Sequence, residues 1–224
     1  MNTVHLVKSN EDIIVPKIFC LGKNYAKHAA EMSQWDPSGK ADVPQKPVVF
    51  MKPSSAIVHN GAKVKYPAMT NDLHHETEIY FVIGKEGKNI RKEDARSYVT
   101  AMGIGLDLTL RDLQTELKNA GNPWLISKGF DGSAPISDAV SVNGMDFNSL
   151  ELSLTVNGKP RQHGSYKNTI FKIEETITFI SQLFTLERGD LIFTGTPEGV
   201  AKLVPGDKLH AELIGHTSID VEIG

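Results

Sequence analysis

Two glutamates, Glu76 and Glu78, stand where a core strand should begin. They precede Ile-Tyr-Phe-Val-Ile over residues 79–83, and this run of β-branched and aromatic side chains predicts a strand that is at least partly buried. Side chains two residues apart on a strand point to the same face. Two like charges on one face beside a core cost several kcal/mol unless an opposite charge neutralises them. A divalent cation with oxygen ligands would neutralise them, and the pair would then form a site.

A third carboxylate, Asp107, lies at the end of a predicted strand over residues 100–108. With the two glutamates it offers hard oxygen ligands and no sulfur, a set suited to Mg²⁺ or Mn²⁺. The alternative from spacing alone is two salt-bridged glutamates and one surface aspartate. Zinc at His74 and His75 is disfavoured, because neighbours on a strand face opposite ways and no His-Glu-x-x-His pattern is present.

The composition is that of an ordinary globular protein. The chain has 224 residues, 40% of them hydrophobic, which suits one large domain or two small ones. A net charge of −3 gives no broad basic face for nucleic acid, so small molecules or proteins are the expected partners. The single cysteine, Cys20, excludes an internal disulfide and a cysteine-rich zinc site. Without a secretory signal or a membrane-spanning run, a cytoplasmic location and no membrane partner are expected.

Short strands and a few helices alternate irregularly along the sequence. Predicted strands cover residues 17–21, 48–53, 100–108, 151–156 and 191–194, with hairpin turns at residues 59–61, inside 56–66, and at 157–158. Predicted helices cover residues 25–32, 92–99, 109–118 and 173–184, and residues 127–135 are predicted as an irregular loop. This pattern predicts a mainly β, mixed α+β fold, since the regular alternation of a βαβ fold is missing.

Residues 33–47 form the longest stretch without periodicity. They are polar and contain three prolines, which predicts a mobile loop that acts as a lid or a binding loop. No repeat or shift in composition marks a domain boundary. We therefore expect a lead-in segment over residues 1–16 and a single domain over residues 17–224.

Two further features suggest chemistry without deciding it. His28 and Glu31 lie three apart on one face of a predicted helix, as a base and its orienting carboxylate would. The alternative is a surface pair worth only a few tenths of a kcal/mol. Lys128 could balance negative charge on a substrate, although most lysines in loops are simply solvated.

Seven segments, taken in order, resemble motifs of the fumarylacetoacetate hydrolase family, particularly its short acylpyruvase and oxaloacetate decarboxylase members. They cover residues 22–31, 50–53, 74–78, 106–114, 128–131, 157–162 and 194–199. The resemblance extends from about residue 17 to the end of the chain. It implies the family's β-rich α+β fold, a mixed β-sandwich or roll with a few peripheral helices, and a homodimer.

The resemblance also implies roles for individual residues. The metal ligands would be Glu76, Glu78 and Asp107, with Mg²⁺ as the cofactor and Mn²⁺ as a substitute. Catalytic roles would fall on His28, Glu31 and Lys128. Substrate contacts would come from Gln114, Thr196, Lys52, Arg111 and Lys23.

The implied activity is Mg²⁺-dependent cleavage of a C–C bond in small 2-oxo acids. An acylpyruvate hydrolase or an oxaloacetate decarboxylase would release pyruvate. Alternatives at the same metal site are an oxaloacetate tautomerase and a 2-hydroxy-dienedioate isomerase, and a further one is a binding protein without turnover. Lys23 replaces an arginine found in many relatives and lacks the bidentate geometry of a guanidinium. The sequence therefore constrains the choice of substrate less closely than it constrains the family. Leu106 before Asp107 points towards the short decarboxylase-like branch.

Overall fold

A computed structural model of the chain describes residues 2–32 and 43–224. Its strands are β1 (Thr3–Leu6), β2 (Glu11–Ile14), β3 (Ile18–Gly22), β4 (Val48–Lys52), β5 (Ile57–Val58), β6 (Ala62–Val64), β7 (Leu73–His75), β8 (Thr77–Ile83), β9 (Val99–Leu106), β10 (Thr109–Leu110), β11 (Ala134–Pro135), β12 (Val140–Ser141), β13 (Glu151–Val156), β14 (Lys159–Ser165), β15 (Leu191–Phe193), β16 (Ala201–Lys202), β17 (Lys208–Leu213) and β18 (Thr217–Ile223). Its helices are α1 (Ala26–Met32), α2 (Lys92–Ala95), α3 (Arg111–Asn119), α4 (Leu125–Lys128) and α5 (Ile173–Leu183). The predicted β-rich α+β class is confirmed.

Two sheets dominate the fold. One has six strands in the order β12-β9-β8-β15-β3-β4, and the other has five in the order β14-β13-β17-β18-β6. All neighbours in the six-stranded sheet are antiparallel except β15 and β3. The strand predicted from the apolar run, β8, lies near the centre of this sheet and is buried at every position.

The two faces of β8 pack into different cores. Ile79 and Phe81 point into a cluster that they share with the five-stranded sheet, whereas Tyr80 and Val82 point into a second cluster on the opposite face. The hairpin of β1 and β2 contributes side chains to that second cluster. Full burial of one such side chain is worth about 1.5–3 kcal/mol, so both faces of β8 hold it in place.

Two glycines allow β9 to lie under aromatic rings. A Cβ atom at Gly103 would lie 2.4 Å from Tyr80 Oη, and one at Gly105 would lie 2.6 Å from the Phe193 ring. Any larger residue would push β9 away from β8 or displace these rings. The close packing fixes the end of β9, and therefore the position of the residue that follows it.

The hairpin predicted over residues 56–66 is wrong as a strand pairing. The turn forms, because the Ala62 N–H donates to the His59 carbonyl at 3.1 Å and Gly61 has a φ of +78°. Its flanking strands then separate, since β5 lies parallel to β11 and β6 lies parallel to β18. Turn residues fix a local reversal but not the strand partner. The hairpin at residues 157–158 is confirmed, because β13 and β14 pair antiparallel around it.

Residues 127–135 are more regular than the loop that was predicted. They contain the end of α4 and the whole of β11, two elements too short to show periodicity in a sequence. The predicted lid over residues 33–47 lies outside the described residues except for 43–47, which contain no helix or strand. No helix in the described part of the chain is long and apolar enough to span a membrane.

Candidate metal centre and active site

Three buried carboxylates meet where β8 begins and β9 ends. Because β8 and β9 are antiparallel, the residue after β9 returns beside the residue before β8, and the Asp107 N–H donates to the Glu76 carbonyl at 2.8 Å. Carboxylate oxygens of Glu76, Glu78 and Asp107 lie within 4.8 Å of one another. The three residues are 5%, 1% and 1% exposed. Oxygen donors at this spacing could hold a divalent metal ion.

Three cationic side chains surround two of these carboxylates. The Lys128 ammonium donates to Glu76 Oε2 at 2.8 Å and to Asp107 Oδ2 at 2.6 Å. The Arg111 guanidinium donates to Glu76 Oε1. On the other side, Lys52 Nζ lies 2.8 Å from Asp107 Oδ1. Both carboxylates are therefore held by opposite charges within a buried site.

These contacts shift the pKa values of the partners. Burial would raise the pKa of Glu76, but the Lys128 ammonium and the Arg111 guanidinium hold that pKa well below its usual range. Burial would also lower the pKa of Lys128, but the carboxylates of Asp107 and Glu76 raise it. Glu76 and Lys128 are therefore ionised at neutral pH.

Glu78 is the carboxylate without an opposite charge of its own. Burial raises its pKa well above the usual range, and the neighbouring charges of Asp107 and Glu76 add to the rise. The Gly195 N–H donates to its Oε2 at 2.6 Å, but the described residues include no ion pair with Glu78. A buried carboxyl group in this state fits a bound divalent cation, whose charge would favour the ionised form.

His28 and Glu31 form a hydrogen-bonded pair on α1. His28 Nδ1 lies 3.2 Å from Glu31 Oε2, which leaves Nε2 of a neutral imidazole free to accept a proton. The Gly199 N–H donates to both carboxylate oxygens of Glu31, at 3.1 and 3.3 Å. Burial would raise the pKa of Glu31, but the hydrogen bonds from His28 and Gly199 lower it. The carboxylate therefore stays ionised and fixes the orientation of the imidazole.

A cavity opens beside this pair and the carboxylates. Its walls are formed by Leu21, Gly22, Lys23, His28, Phe50, Glu76, Glu78, Arg111, Gln114, Thr115, Lys118, Trp124, Lys128 and Thr196. The cavity brings together most of the residues that the sequence analysis selected. Glu31 and Asp107 lie behind the wall, in contact with His28 and Lys128 respectively.

Lys52 does not lie on the cavity wall, although it was expected to contact the substrate. Its ammonium donates to the carbonyls of Leu108, at 3.3 Å, and of Lys128, and it also pairs with Asp107. The ammonium is thus engaged by two backbone carbonyls and one carboxylate of the protein. Its position suits a residue that holds Asp107 and α4 in place.

Part of the cavity wall was not expected from the sequence. Phe50 and Trp124, whose rings lie 6.0 Å apart in an edge-to-face arrangement, were not singled out. Thr115 and Lys118 were also missed, although with Arg111 they follow the spacing of one helix face. That spacing was the available signal, whereas nothing local marks the two aromatic residues as neighbours.

The fold and the carboxylate cluster agree with a direct comparison of the sequence with known families. Residues 17–223 match the family described as fumarylacetoacetate (FAA) hydrolase C-terminal. The chain belongs to this family, and it is an enzyme of a metal-dependent class.

Two relatives and one crystal structure are similar to this chain over most of its length. Oxaloacetate tautomerase YcgM of Escherichia coli is 41% identical over 209 residues, which cover 92% of this chain and 92% of the relative. The mitochondrial oxaloacetate tautomerase FAHD1 of Homo sapiens is 39% identical over 207 residues, covering 92% and 90%. The crystal structure of fumarylpyruvate hydrolase from Pseudomonas aeruginosa in complex with Mn²⁺ and pyruvate is 35% identical, covers 99% of this chain and 94% of that chain, and has a TM-score of 0.89.

Proposed function

We propose that this chain is a Mg²⁺-dependent oxaloacetate tautomerase, with Mn²⁺ as a substitute, and that hydrolysis of acylpyruvates is its second candidate activity. The observation that carries the proposal is the buried cluster of Glu76, Glu78 and Asp107, which opens onto a cavity lined by cations. The sequence alone placed C–C cleavage first. The order is reversed because relatives that are 39–41% identical over almost their whole length are oxaloacetate tautomerases.

The metal would be held by the carboxylates of Glu76, Glu78 and Asp107. When bound, a divalent cation supplies Lewis-acid stabilisation of negative charge on a substrate oxygen. The donor set contains only carboxylate oxygens, which favours Mg²⁺ or Mn²⁺.

Arg111 and Gln114 would orient the substrate. Arg111 Nη1 donates to Gln114 Oε1 at 2.5 Å, so the carbonyl end of this amide is taken and its NH₂ group is available to a ligand. An NH₂ donor on the cavity wall suits a carboxylate of a small 2-oxo acid.

Lys128 would act through its charge. Its three protons already go to Glu76, Asp107 and the Thr109 hydroxyl, the last at 2.7 Å. A buried positive charge beside the cavity still lowers the energy of negative charge that develops on the substrate.

His28 would move the proton. In the keto-to-enol direction, Nε2 of His28 takes a proton from C3 of the substrate, and the C3–H electron pair becomes the C2=C3 bond. The π pair of the 2-oxo group moves onto its oxygen, which takes a proton from water, and His28 returns its proton to the hydroxide that remains. The reverse sequence gives the keto form. Glu31 keeps the imidazole oriented and stabilises its charged form.

The second candidate uses the same pair of residues. With an acylpyruvate, His28 assisted by Glu31 would take a proton from water, and the water oxygen would attack the distal carbonyl carbon. The C–C bond beyond C3 then breaks to give a carboxylic acid and, after protonation at C3, pyruvate. The hydrogen bond between His28 and Glu31 supports this candidate, as does the similarity to fumarylpyruvate hydrolase.

Two further expectations stay predictions. We propose a homodimer and a cytoplasmic location. Light scattering after size exclusion would test the first of these, and a monomer at micromolar concentration would contradict it.

The test measures tautomerisation as the loss of enol absorbance from oxaloacetate with Mg²⁺. It also measures the formation of pyruvate from oxaloacetate and from acetylpyruvate. Samples with Mg²⁺ but no protein correct for the reaction of the free metal. We expect tautomerisation to fall about 10²–10⁴-fold in His28→Asn, with no change in the control His163→Asn, whose side chain is 65% exposed. Pyruvate from acetylpyruvate would support the second candidate. No acceleration of either reaction would overturn the proposal.

A further inference from the structure

We propose that Gln162 is a positioning residue that fixes the Thr196 hydroxyl as a hydrogen-bond acceptor towards the cavity. This inference rests on the proposed function, and it specifies that the site prefers ligands with a hydroxyl at C2, such as the enol form of a 2-oxo acid. The sequence marked residues 157–162 as a family-like segment without giving Gln162 a role.

The side-chain amide of Gln162 has only one possible orientation. Gln162 lies on β14 and is 3% exposed. The Thr77 N–H donates to its Oε1 at 3.1 Å, and its Nε2 donates to the Pro197 carbonyl at 2.9 Å. A backbone N–H can only donate and a carbonyl can only accept. The two backbone partners therefore fix which end of the amide carries the NH₂ group.

His75 reinforces this orientation. Its Nδ1 lies 3.0 Å from Gln162 Oε1, and because Oε1 is an acceptor, Nδ1 must carry the proton. His75 is 1% exposed. It therefore acts as a second buried donor to the amide, a role that differs from the zinc ligand considered for it.

The fixed amide determines what the Thr196 hydroxyl can do. Gln162 Nε2 donates to Thr196 Oγ1 at 2.8 Å, and Thr196 Oγ1 donates to the Thr77 carbonyl at 2.9 Å. A hydroxyl has one proton and two lone pairs. The proton and one lone pair are engaged, so one lone pair of Oγ1 remains, on a residue that lines the cavity.

An oxygen in this state accepts a hydrogen bond but does not donate one. Turning the Thr196 hydroxyl towards a ligand would remove its hydrogen bond from the buried Thr77 carbonyl, which costs free energy. A C2 hydroxyl can donate to this oxygen, whereas a 2-oxo oxygen or a carboxylate oxygen cannot. Thr196 is thus suited to an enol hydroxyl rather than to a substrate carboxylate.

A purely structural role for Gln162 is the competing explanation. Gln162 also holds the Pro197 carbonyl, and the same loop places the Gly195 N–H on Glu78. If Gln162 only shapes this loop, its replacement should weaken all ligands alike. If it acts through Thr196, its replacement should weaken only ligands that carry a donor at C2.

The test compares two stable ligands by calorimetry in the presence of Mn²⁺. Malate carries a C2 hydroxyl, and oxalate carries no hydroxyl. The variants are Gln162→Glu, which keeps the shape but removes the NH₂ donor, Thr196→Val, which removes the hydroxyl, and the double variant. Thr196→Ser keeps the hydroxyl and serves as the matched control. The measurement needs no turnover, so its result is separate from that of the activity test.

We expect malate affinity, taken relative to oxalate affinity, to fall roughly tenfold in each single variant, the effect of one hydrogen bond. The double variant should lose no more than Thr196→Val alone, because both changes act on one contact. Thr196→Ser should keep the wild-type ratio.

Equal losses for malate and oxalate would overturn the inference, and so would an unchanged ratio or additive effects in the double variant. If Gln162→Glu fails to fold, Gln162→Asn keeps the amide, shortens its reach and serves the same comparison. Failure of the proposed function would appear separately, as wild-type protein that fails to accelerate tautomerisation.

Discussion

The two halves of the site are built in different ways. The carboxylates lie at the start of β8 and the end of β9, two neighbouring strands whose backbone pairs run in register from residues 77 and 106 to residues 82 and 101. His28 and Glu31 lie on the seven-residue helix α1. Asn24, just before α1, ties its start to the rest of the fold, because its amide donates to the Thr194 carbonyl at 2.8 Å. The Gly199 N–H binds its far end through Glu31.

This difference teaches which property depends on which contacts. In the metal half of the site, which is Glu76, Glu78 and Asp107, strand pairing places the carboxylates and buried cations balance their charge. Changes there should therefore alter stability and metal binding together. The pair on α1 depends on tertiary hydrogen bonds at the two ends of that helix. Changes there should alter proton transfer and leave metal binding by the carboxylates intact. The predictions below test that separation.

The largest expected effect comes from removing the central cation. Lys128→Met leaves Glu76 and Asp107 buried with one partner fewer, and breaking a buried ion pair costs about 3–5 kcal/mol. We expect that loss in the free energy of unfolding, measured by urea denaturation without metal, and a partial recovery with Mg²⁺ because the metal binds the folded state.

Lys92→Met is the control for this prediction. Lys92 pairs with Glu175 on the surface, where the two side chains are 62% and 38% exposed. Lys92→Met should therefore lower the free energy of unfolding by less than about 1 kcal/mol. Equal losses in the two variants would contradict the buried, central role of Lys128.

A smaller effect is expected where the chain approaches α1. Gly199 has a φ of +97°, and a Cβ atom there would lie 2.3 Å from the Arg161 carbonyl oxygen. Gly199→Ala should lower the free energy of unfolding by about 2 kcal/mol or more and weaken proton transfer by displacing Glu31. Thermal unfolding and turnover measure the two effects.

Gly206→Ala is the matched control, because Gly206 has a φ of +93° with no atom within 4 Å of the added Cβ. Both alanine variants bear the cost of a positive φ, but only Gly199→Ala clashes with Arg161. The difference between their free energies of unfolding therefore measures the clash. If Gly199→Ala weakened Mn²⁺ binding as strongly as turnover, the two halves of the site would not be separate.

The smallest effect concerns pH. The pKa of Glu31 is lowered by its hydrogen bonds from His28 and Gly199, which outweigh burial. A lowered carboxyl pKa stabilises the protein above the ordinary glutamate pKa, and that contribution is lost as the pH falls through the folded-state pKa. The free energy of unfolding of the wild type should therefore exceed that of Glu31→Gln by less than about 1 kcal/mol at neutral pH. In acid the two free energies should converge. Urea denaturation across this pH range measures the gap, and a gap that widened in acid would have the wrong sign.

The sequence predicted the chemistry of the site better than its surroundings. The two-residue spacing of Glu76 and Glu78 and the strand-end position of Asp107 were visible, because strand alternation is a local property. The pairing of β8 with β9, which brings Asp107 to the glutamates, is not local. The same limit explains the wrong hairpin over residues 56–66, whose two strands pair elsewhere.

Roles that depend on distant partners were the hardest to see. Lys52 lies in a family-like segment, but only the structure shows that its ammonium binds the carbonyls of Leu108 and Lys128. Gln162 lay in a family-like segment without a role of its own, and His75 was considered only as a zinc ligand. Their hydrogen bond joins positions 87 residues apart, and no local pattern predicts such a contact.

The most direct measurement is Mn²⁺ binding, followed by the electron paramagnetic resonance signal of free Mn²⁺, in wild type, Glu78→Gln and the exposed control Glu86→Gln. The buried cluster predicts one Mn²⁺ per chain, displaced by Mg²⁺, with affinity reduced roughly 100-fold in Glu78→Gln and unchanged in the control. Wild-type protein that binds no Mn²⁺, or Glu78→Gln that binds it as tightly as wild type, would contradict a metal centre at these carboxylates.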